Sequence, residues 1–215
     1  LLYAEAFRAP RPWDAHDGLG NRGLEPERLR SIELALSFLV MDLLRIEVLG
    51  FANRMSGLLE RETTGDDWRW VNGGELNTLG AESTIELRLA GLRAWGSYTW
   101  TRSLGEDGEA LPEIAAHGAT AGLGYALGKH LRANLRGHFM GQRPNPTTIT
   151  ATGRDVIDAA FVVQASVSLV DLGAFDLHVH ARNLLDHEYY HSSNRSVERY
   201  RQAQQSVRVE AAYHF

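Results

Sequence analysis

The chain has 215 residues, of which 44% are hydrophobic and 23% are charged, a composition that fits one large folded domain and excludes a disordered chain. The net charge of -5 gives no indication of a nucleic-acid partner. No segment approaches the roughly 18 consecutive apolar residues of a membrane-spanning helix, and the sequence contains no cysteine.

Alternation of apolar and polar side chains is the dominant pattern along the sequence, and a period of two is typical of β-strands. The pattern is present from the first residues, which do not resemble a signal peptide, so we expect the sequence to begin inside the domain. In chain order, the predicted strands cover residues 1–7, 31–40, 44–60, 79–89, 92–101, 119–127, 131–139, 161–169, 175–182 and 206–215.

The predicted connections alternate between short and long. Short turns are expected near Asp42, Gly91, Lys129 and Leu172. Long polar connections are expected at residues 8–27, 62–69, 103–112, 143–154 and 186–202. Alternate connections of an up-and-down meander lie at the same edge of the sheet. One edge therefore carries the long connections, as the extracellular edge of an outer-membrane barrel does.

The two faces of the predicted strands favour a membrane barrel. The apolar face holds many small residues, such as Ala121, Ala133 and Gly137, which lipid accommodates more readily than a second packed sheet does. The polar face carries Arg132, Arg136, His138, Asp176, His178, His180, Arg182, Arg208 and Glu210. We therefore predict an all-β chain, an antiparallel up-and-down meander of about ten strands that forms part of a transmembrane β-barrel. A soluble, secreted β-sandwich is the alternative.

Five stretches, in order along the chain, resemble TonB-dependent outer-membrane receptors. Residues 5–10 resemble a strand-to-loop segment of that family, and residues 21–27 with 31–34 resemble its pattern N-x-x-L-x-P-E followed by S-x-E-L. The other three are Asn72, Gly74, Gly80 and Glu82, then residues 183–186 (Asn-Leu-Leu-Asp) with Tyr189, and finally residues 213–215.

The resemblance implies a 22-stranded barrel filled by a plug domain. Residues 1–215 would be the C-terminal part of that barrel, and the plug and the earlier strands would lie outside this sequence. It implies an outer-membrane receptor for energy-dependent uptake of a scarce nutrient, with an Fe(III)–siderophore foremost and cobalamin, copper, haem or an oligosaccharide still open. The implied partners are outer-membrane lipid and lipopolysaccharide, a small-molecule ligand such as a metal chelate, and the TonB energy-transducing complex, reached through the N-terminal region. A passive porin or another outer-membrane barrel, including an enzyme barrel, is the alternative.

The sequence has no catalytic constellation and no cofactor motif, so we predict neither an enzyme nor a bound cofactor. His178 and His180 would lie about 7 Å apart on one face, close enough for a pair of metal ligands, but we interpret them as solvated lumen residues and predict no metal site.

Substrate binding is assigned to aromatic, histidine and arginine side chains of the long connections, because aromatic groups offer rigid contact area and arginine binds anions bidentately. The candidates are Trp68, Trp70, His187, Tyr189, Tyr190, His191, Arg195, Arg199 and Tyr200. Solvated loop residues, or arginines binding lipopolysaccharide phosphates, are the alternative. Trp95, Tyr98 and Trp100 are assigned to an aromatic girdle at the membrane interface.

Overall fold

The computed structural model describes residues 1–111, 113–145, 156–193 and 199–215, and every regular element within them is a β-strand. Ten strands form one sheet in the order β1-β2-β3-β4-β5-β6-β7-β10-β11-β14, and the pairs whose register is defined are antiparallel. This confirms the predicted all-β antiparallel meander. The strands are β1 (Leu2–Arg8), β2 (Glu27–Val40), β3 (Leu44–Thr64), β4 (Asp67–Leu89), β5 (Leu92–Leu104), β6 (His117–Leu127), β7 (Leu131–Met140), β8 (Arg143–Pro144), β9 (Val156–Ile157), β10 (Ala160–Leu172), β11 (Phe175–Arg182), β12 (Tyr190–Ser192), β13 (Arg199–Arg201) and β14 (Ser206–Tyr213).

The short turns lie where the sequence predicts them, and their backbone explains the residue choice. Met41 and Asp42 join β2 to β3 with φ of 52° and 55°, which matches the left-handed pair of a type I′ hairpin turn. Gly91 joins β4 to β5 with φ of 73°, and a Cβ there would lie 2.8 Å from the carbonyl oxygen of Ala126. The turn predicted near Leu172 contains Gly173, at φ 71°.

One predicted long connection is wrong. Residues 62–69 form the tip of a hairpin, in which β3 and β4 have 21 and 23 residues and only a two-residue turn separates them. The polar residues extend the strands because they pair across them. Arg69 donates to Glu62 at 2.8 Å, and the Arg61 guanidinium stacks over the Trp68 ring at 4.2 Å. A polar run therefore ended the predicted strands too early.

The other boundaries differ less. Strand β2 begins at Glu27, four residues before the predicted start. The predicted connection 143–154 begins with β8, which pairs with β9, and its residues 146–154 lie outside the described part of the chain. The predicted connection 186–202 contains the hairpin of β12 and β13, in which His191 is paired with Tyr200.

The apolar face of the sheet is exposed. Leu34, Leu135 and Val209 are 50%, 49% and 63% accessible, and the only buried hydrophobic residues among those described are Ile157, Ala160 and Val162. A soluble β-sandwich buries this face against a second sheet, whereas the other two sheets here have two strands each. The exposed apolar face is what a lipid-facing surface requires. Within the described ranges, no helix is long and apolar enough to cross a membrane.

Residue contacts divide the chain into two compact units, and the division falls within β2, β3, β4 and β5. The first unit comprises Leu1–Ala35, Leu49–Ala81 and Thr101–Leu111. The second unit comprises Leu36–Val48, Glu82–Trp100 and Pro112–Phe215.

Candidate functional site

The connection between β11 and β14, in the second unit, is held by Asn183. Its backbone is left-handed, with φ of 50°, and its side chain is buried. The Asn183 amide donates to the carbonyl oxygen of His187 at 2.9 Å, and its Oδ1 accepts from the His187 N–H at 3.0 Å. Asp186 Oδ1 accepts from the Gln205 N–H at 2.9 Å. The Asn-Leu-Leu-Asp stretch therefore closes the base of this connection, which is a structural role.

Four predicted or neighbouring side chains meet on the β12–β13 hairpin. The Tyr190 hydroxyl donates to Glu188, which also accepts from Arg201 at 2.8 Å. The guanidinium of Arg199 lies 4.1 Å from the centre of the Tyr190 ring. The hydrogen bond from Tyr190 and the nearby arginines lower the pKa of Glu188, and the same carboxylate raises the pKa of Tyr190. Tyr190 and Arg199 thus stabilise the hairpin.

The remaining candidates of this connection are more open. Tyr189 and His191 pack edge to face, with ring centres 5.8 Å apart. His187 and Tyr200 are exposed. Arg195 lies outside the described residues. Beneath the hairpin, the buried Arg143 donates to the Tyr190 carbonyl oxygen at 2.8 Å.

Trp68 and Trp70 belong to the first unit, so the predicted site residues divide between the two units. Their rings are 5.8 Å apart and perpendicular. The connection at residues 9–26 covers their backbone, because Leu19 donates to the Trp68 oxygen at 2.8 Å and the Asn21 amide to the Trp70 oxygen at 3.0 Å. A Cβ at Gly18 would lie 2.2 Å from the Trp68 oxygen. The Trp70 Nε1 is buried without an acceptor among the described residues.

The same connection is anchored by polar groups, of which Glu27 and Asp14 are buried. Asn72 accepts from the Glu25 N–H at 2.7 Å and donates to the Glu25 oxygen at 2.8 Å. Glu27 accepts from Arg8 at 2.8 Å and from the Leu59 N–H at 2.9 Å. Arg11 lowers the pKa of the buried Asp14 through hydrogen bonds of 3.1 Å to both carboxylate oxygens. The residues that carry the resemblance in this region therefore order the connection.

A basic cavity on the polar face of the second unit was not among the predicted sites. It has a volume of about 490 Å³ and is lined by Asn134, Arg136, Gln164, His180, Arg182 and Arg208, with smaller neighbours. Arg208 pairs with Glu210. Among the described residues, neither Arg136 nor Arg182 has a carboxylate partner. The cavity therefore has excess positive charge and amide groups that can donate or accept hydrogen bonds.

Cross-strand pairing explains how the cavity is built. Trp95, Gly122, Arg136 and Gln164 are aligned across four neighbouring strands. Gly122 leaves room for Trp95, because a Cβ there would lie 2.5 Å from the indole ring. The Arg136 guanidinium lies 5.6 Å from the centre of that ring. Trp95 therefore belongs to the polar face, and its assignment to the interfacial girdle is wrong.

Two histidines of this face lie side by side. His178 is paired with Glu210 and lies 2.9 Å from the Ser168 hydroxyl, and the His178 and His180 ring centres are 6.3 Å apart. Within the described part of the chain, no three His, Asp or Glu side chains are placed to hold a metal ion. The polar pattern placed these residues on one face, but only the register shows that Arg136, Arg182 and Arg208 border one cavity.

Comparison with known proteins identifies relatives of this sheet. A family model described as "TonB dependent receptor-like, beta-barrel" matches residues 2–184. Three solved structures are similar. The ferric-catecholate import receptor Fiu from E. coli K12 has 18% identity and a TM-score of 0.78, with 99% of this chain and 32% of that chain covered. The pyoverdine receptor FpvA from Pseudomonas aeruginosa PAO1 has 14% identity and a TM-score of 0.82, with 99% and 33% covered. The copper transporter OprC has 16% identity and a TM-score of 0.78, with 99% and 35% covered.

The chain spans about a third of the length of these structures. At these identities the likeness concerns the fold. No protein of curated function matches the sequence significantly.

Proposed function

This chain belongs to the TonB-dependent receptor-like β-barrel family, and we propose that it is the C-terminal part of the barrel of an outer-membrane receptor that imports an Fe(III)–siderophore. The complete barrel would have 22 strands and enclose a plug domain. Import would be driven by the TonB energy-transducing complex, contacted through regions outside these 215 residues. Transport of nutrients is the activity of the related structures, which include an import receptor for ferric catecholates and a copper transporter.

The observation that carries the proposed cargo is the basic cavity. Arg136 and Arg182 lack carboxylate partners among the described residues. Together with His180 and Arg208 they line a cavity of about 490 Å³. Fe(III) chelates of catecholate and carboxylate ligands carry negative charge, and guanidinium groups bind such oxygens bidentately. Trp95 beside Arg136 adds an aromatic surface for the organic part of the chelate.

Capture before entry would involve the long connections. We assign first contact to Trp68 and Trp70 in the first unit and to His187, Tyr189, Tyr190, His191, Arg195, Arg199 and Tyr200 in the second. The exposed rings of His187 and Tyr200 support this assignment. The chelate would then pass to the basic cavity, where the excess positive charge retains it.

The test uses cells in which the intact receptor is the only route for ferric chelates across the outer membrane. These cells are given anionic, neutral and cationic chelates of radioactive iron, and the uptake of the iron is measured. We expect uptake of an anionic chelate that stops when a protonophore collapses the membrane energy. Replacing Arg136 and Arg182 by glutamine should weaken binding of that chelate about tenfold or more, because charge-assisted hydrogen bonds are lost.

Arg132→Gln is the matched control, because Arg132 lies on the same strand as Arg136 and outside the cavity. Uptake that continues without membrane energy would support a passive porin. Preference for a cationic or neutral chelate, or equal effects of the double variant and the control, would contradict the proposed cargo.

A further inference from the structure

Three arginines of the first unit lie on the same face of the sheet as its apolar residues. They are Arg30 on β2, Arg54 on β3 and Arg102 on β5. Their sequence neighbours Ser31 and Ser103 are buried, and the Asn53 Oδ1 is buried as well. Side chains alternate between faces along a strand, so the arginines point to the opposite, apolar side.

These arginines line one cavity with apolar neighbours. The cavity has a volume of about 480 Å³, and its apolar lining includes Tyr3, Ile32, Leu79 and Leu104. Ile32 and Leu79 are each 52% accessible and belong to the exposed apolar face. We call this site the outer arginine cleft. It joins a cationic rim directly to the surface that we assign to lipid.

The charges of the cleft are not balanced. Arg30 lies 3.2 Å from Glu5, and Arg54 makes hydrogen bonds of 2.7 and 2.8 Å to the two oxygens of Glu75. Arg102 has no carboxylate partner among the described residues. Three arginines therefore face two glutamates. Arg102 is therefore the arginine of the cleft that is free to bind an anionic group without breaking an ion pair of the described residues.

We propose that the outer arginine cleft binds the phosphorylated headgroup of lipopolysaccharide, with an acyl chain along Ile32 and Leu79. Strands β2 and β5 are three steps apart, about 14 Å, so the arginines span a headgroup wider than one phosphate. The phosphates of lipopolysaccharide carry no tethered ammonium, whereas phosphatidylethanolamine neutralises its own phosphate. Arg30 lies close to the long connection before β2, at the edge that is extracellular in barrels of this kind. The proposal rests on the proposed function only for this placement in the outer membrane.

The test titrates the intact receptor, purified in detergent, with bisphosphorylated lipopolysaccharide that lacks the O-chain, and counts bound lipid by native mass spectrometry. We expect Arg102→Gln to weaken binding about tenfold or more, because one charge-assisted bidentate contact is lost. Arg102→Lys, which keeps the charge, should weaken it less. Arg69→Gln is the matched control, because Arg69 is an exposed arginine of the same unit, paired with Glu62 at 2.8 Å and outside the cleft.

The same lipopolysaccharide stripped of phosphate, phosphatidylethanolamine and inorganic phosphate form the comparison arms, and each should bind much more weakly. The proposal is overturned if Arg102→Gln binds as the unchanged receptor does, if phosphatidylethanolamine binds equally well, or if inorganic phosphate alone saturates the site. Chelate binding is measured on the same samples and should be unaffected by Arg102→Gln. Absence of chelate binding in the unchanged receptor would count against the proposed function and leave the lipid result standing.

Discussion

An arginine placed on the exposed apolar face should destabilise the protein in a bilayer far more than an arginine one residue away. Val179 on β11 lies between Val167 and Val209, which are 45% and 63% accessible. Val179→Arg would therefore place a charge among apolar neighbours, with no carboxylate directly opposite. His178 lies between Ser168 and Glu210 on the polar face, so His178→Arg would gain an acidic neighbour.

The expected difference follows from the lipid environment. An arginine on the lipid face near the bilayer midplane costs about 2–4 kcal/mol, and one facing the lumen costs close to zero. This corresponds to a change of about 30-fold to 900-fold in the folding equilibrium for Val179→Arg. The two variants share the added residue and the strand, so strand propensity and added volume largely cancel.

The assay is urea unfolding of the intact receptor in lipid vesicles, followed by tryptophan fluorescence, with the heat-modifiable band on a gel as a second readout. We expect a large loss of stability for Val179→Arg and almost none for His178→Arg. Equal losses for the two variants, or a larger loss for His178→Arg, would refute the assignment of the two faces.

Three further predictions concern the connections. Asn183→Ala should increase protease cleavage within residues 184–205 of the intact receptor, because the side-chain hydrogen bonds to His187 are lost. Leaving the backbone groups of His187 unsatisfied costs about 1–3 kcal/mol. Unchanged cleavage would contradict the role given to Asn183. Gly18→Ala should make residues 9–26 more accessible to protease, because the added Cβ would collide with the Trp68 oxygen and the backbone φ there is +62°. Gly50→Ala is the control and should leave cleavage unchanged, because a Cβ at Gly50 would meet nothing within 4 Å. Because the pKa of Glu188 is lowered in the folded state, its contribution to the β12–β13 hairpin is present at neutral pH and is lost as the pH falls below the ordinary carboxyl value of about 4.3. Hydrogen-exchange protection factors of the hairpin at pH 7 and pH 3.5 should show this loss, and Glu188→Gln should remove the dependence on pH.

Most strands and their faces could be predicted from the sequence because apolar and polar side chains alternate along them. Leu131, Ala133 and Leu135 alternate with Arg132, Asn134 and Arg136, and the continuous register of β7 with β6 and β10 keeps the two sets on opposite faces. The short turns could be predicted equally well, because the positions with a left-handed backbone are occupied by glycine or by residues such as Asp42 that tolerate this conformation.

The strand ends outside the apolar band could not be predicted. The tip of the β3–β4 hairpin is polar, and only its cross-strand contacts, such as Arg69 with Glu62, distinguish it from a loop. Composition does not report which partner a polar residue meets.

The candidate site could be predicted only in part, because its contacts also depend on which residues meet across the strands. Tyr190, Arg199 and Tyr189 were correctly placed in one connection, but their mutual contacts depend on the β12–β13 register. The basic cavity depends on residues from strands distant in sequence, such as Arg136 and Arg208. A register shift of two residues would keep every side chain on its face and change its cross-strand neighbours, so the alternation alone does not show which residues border one cavity.

In the proposed receptor, one face of this sheet meets lipid and the other meets water. The most direct measurement is a spin-label scan of β10 in the intact receptor in vesicles. Single cysteines are introduced one at a time from Phe161 to Leu169 in a receptor that has no other cysteine, and residues 1–215 contain none. Collision rates with oxygen, which concentrates in lipid, and with a water-soluble nickel complex are compared at each position. Collisions with oxygen should dominate at Val163, Val167 and Leu169, and collisions with the nickel complex should dominate at Gln164, Ser166 and Ser168. Equal accessibility along the strand, or a pattern with the two sets exchanged, would contradict it.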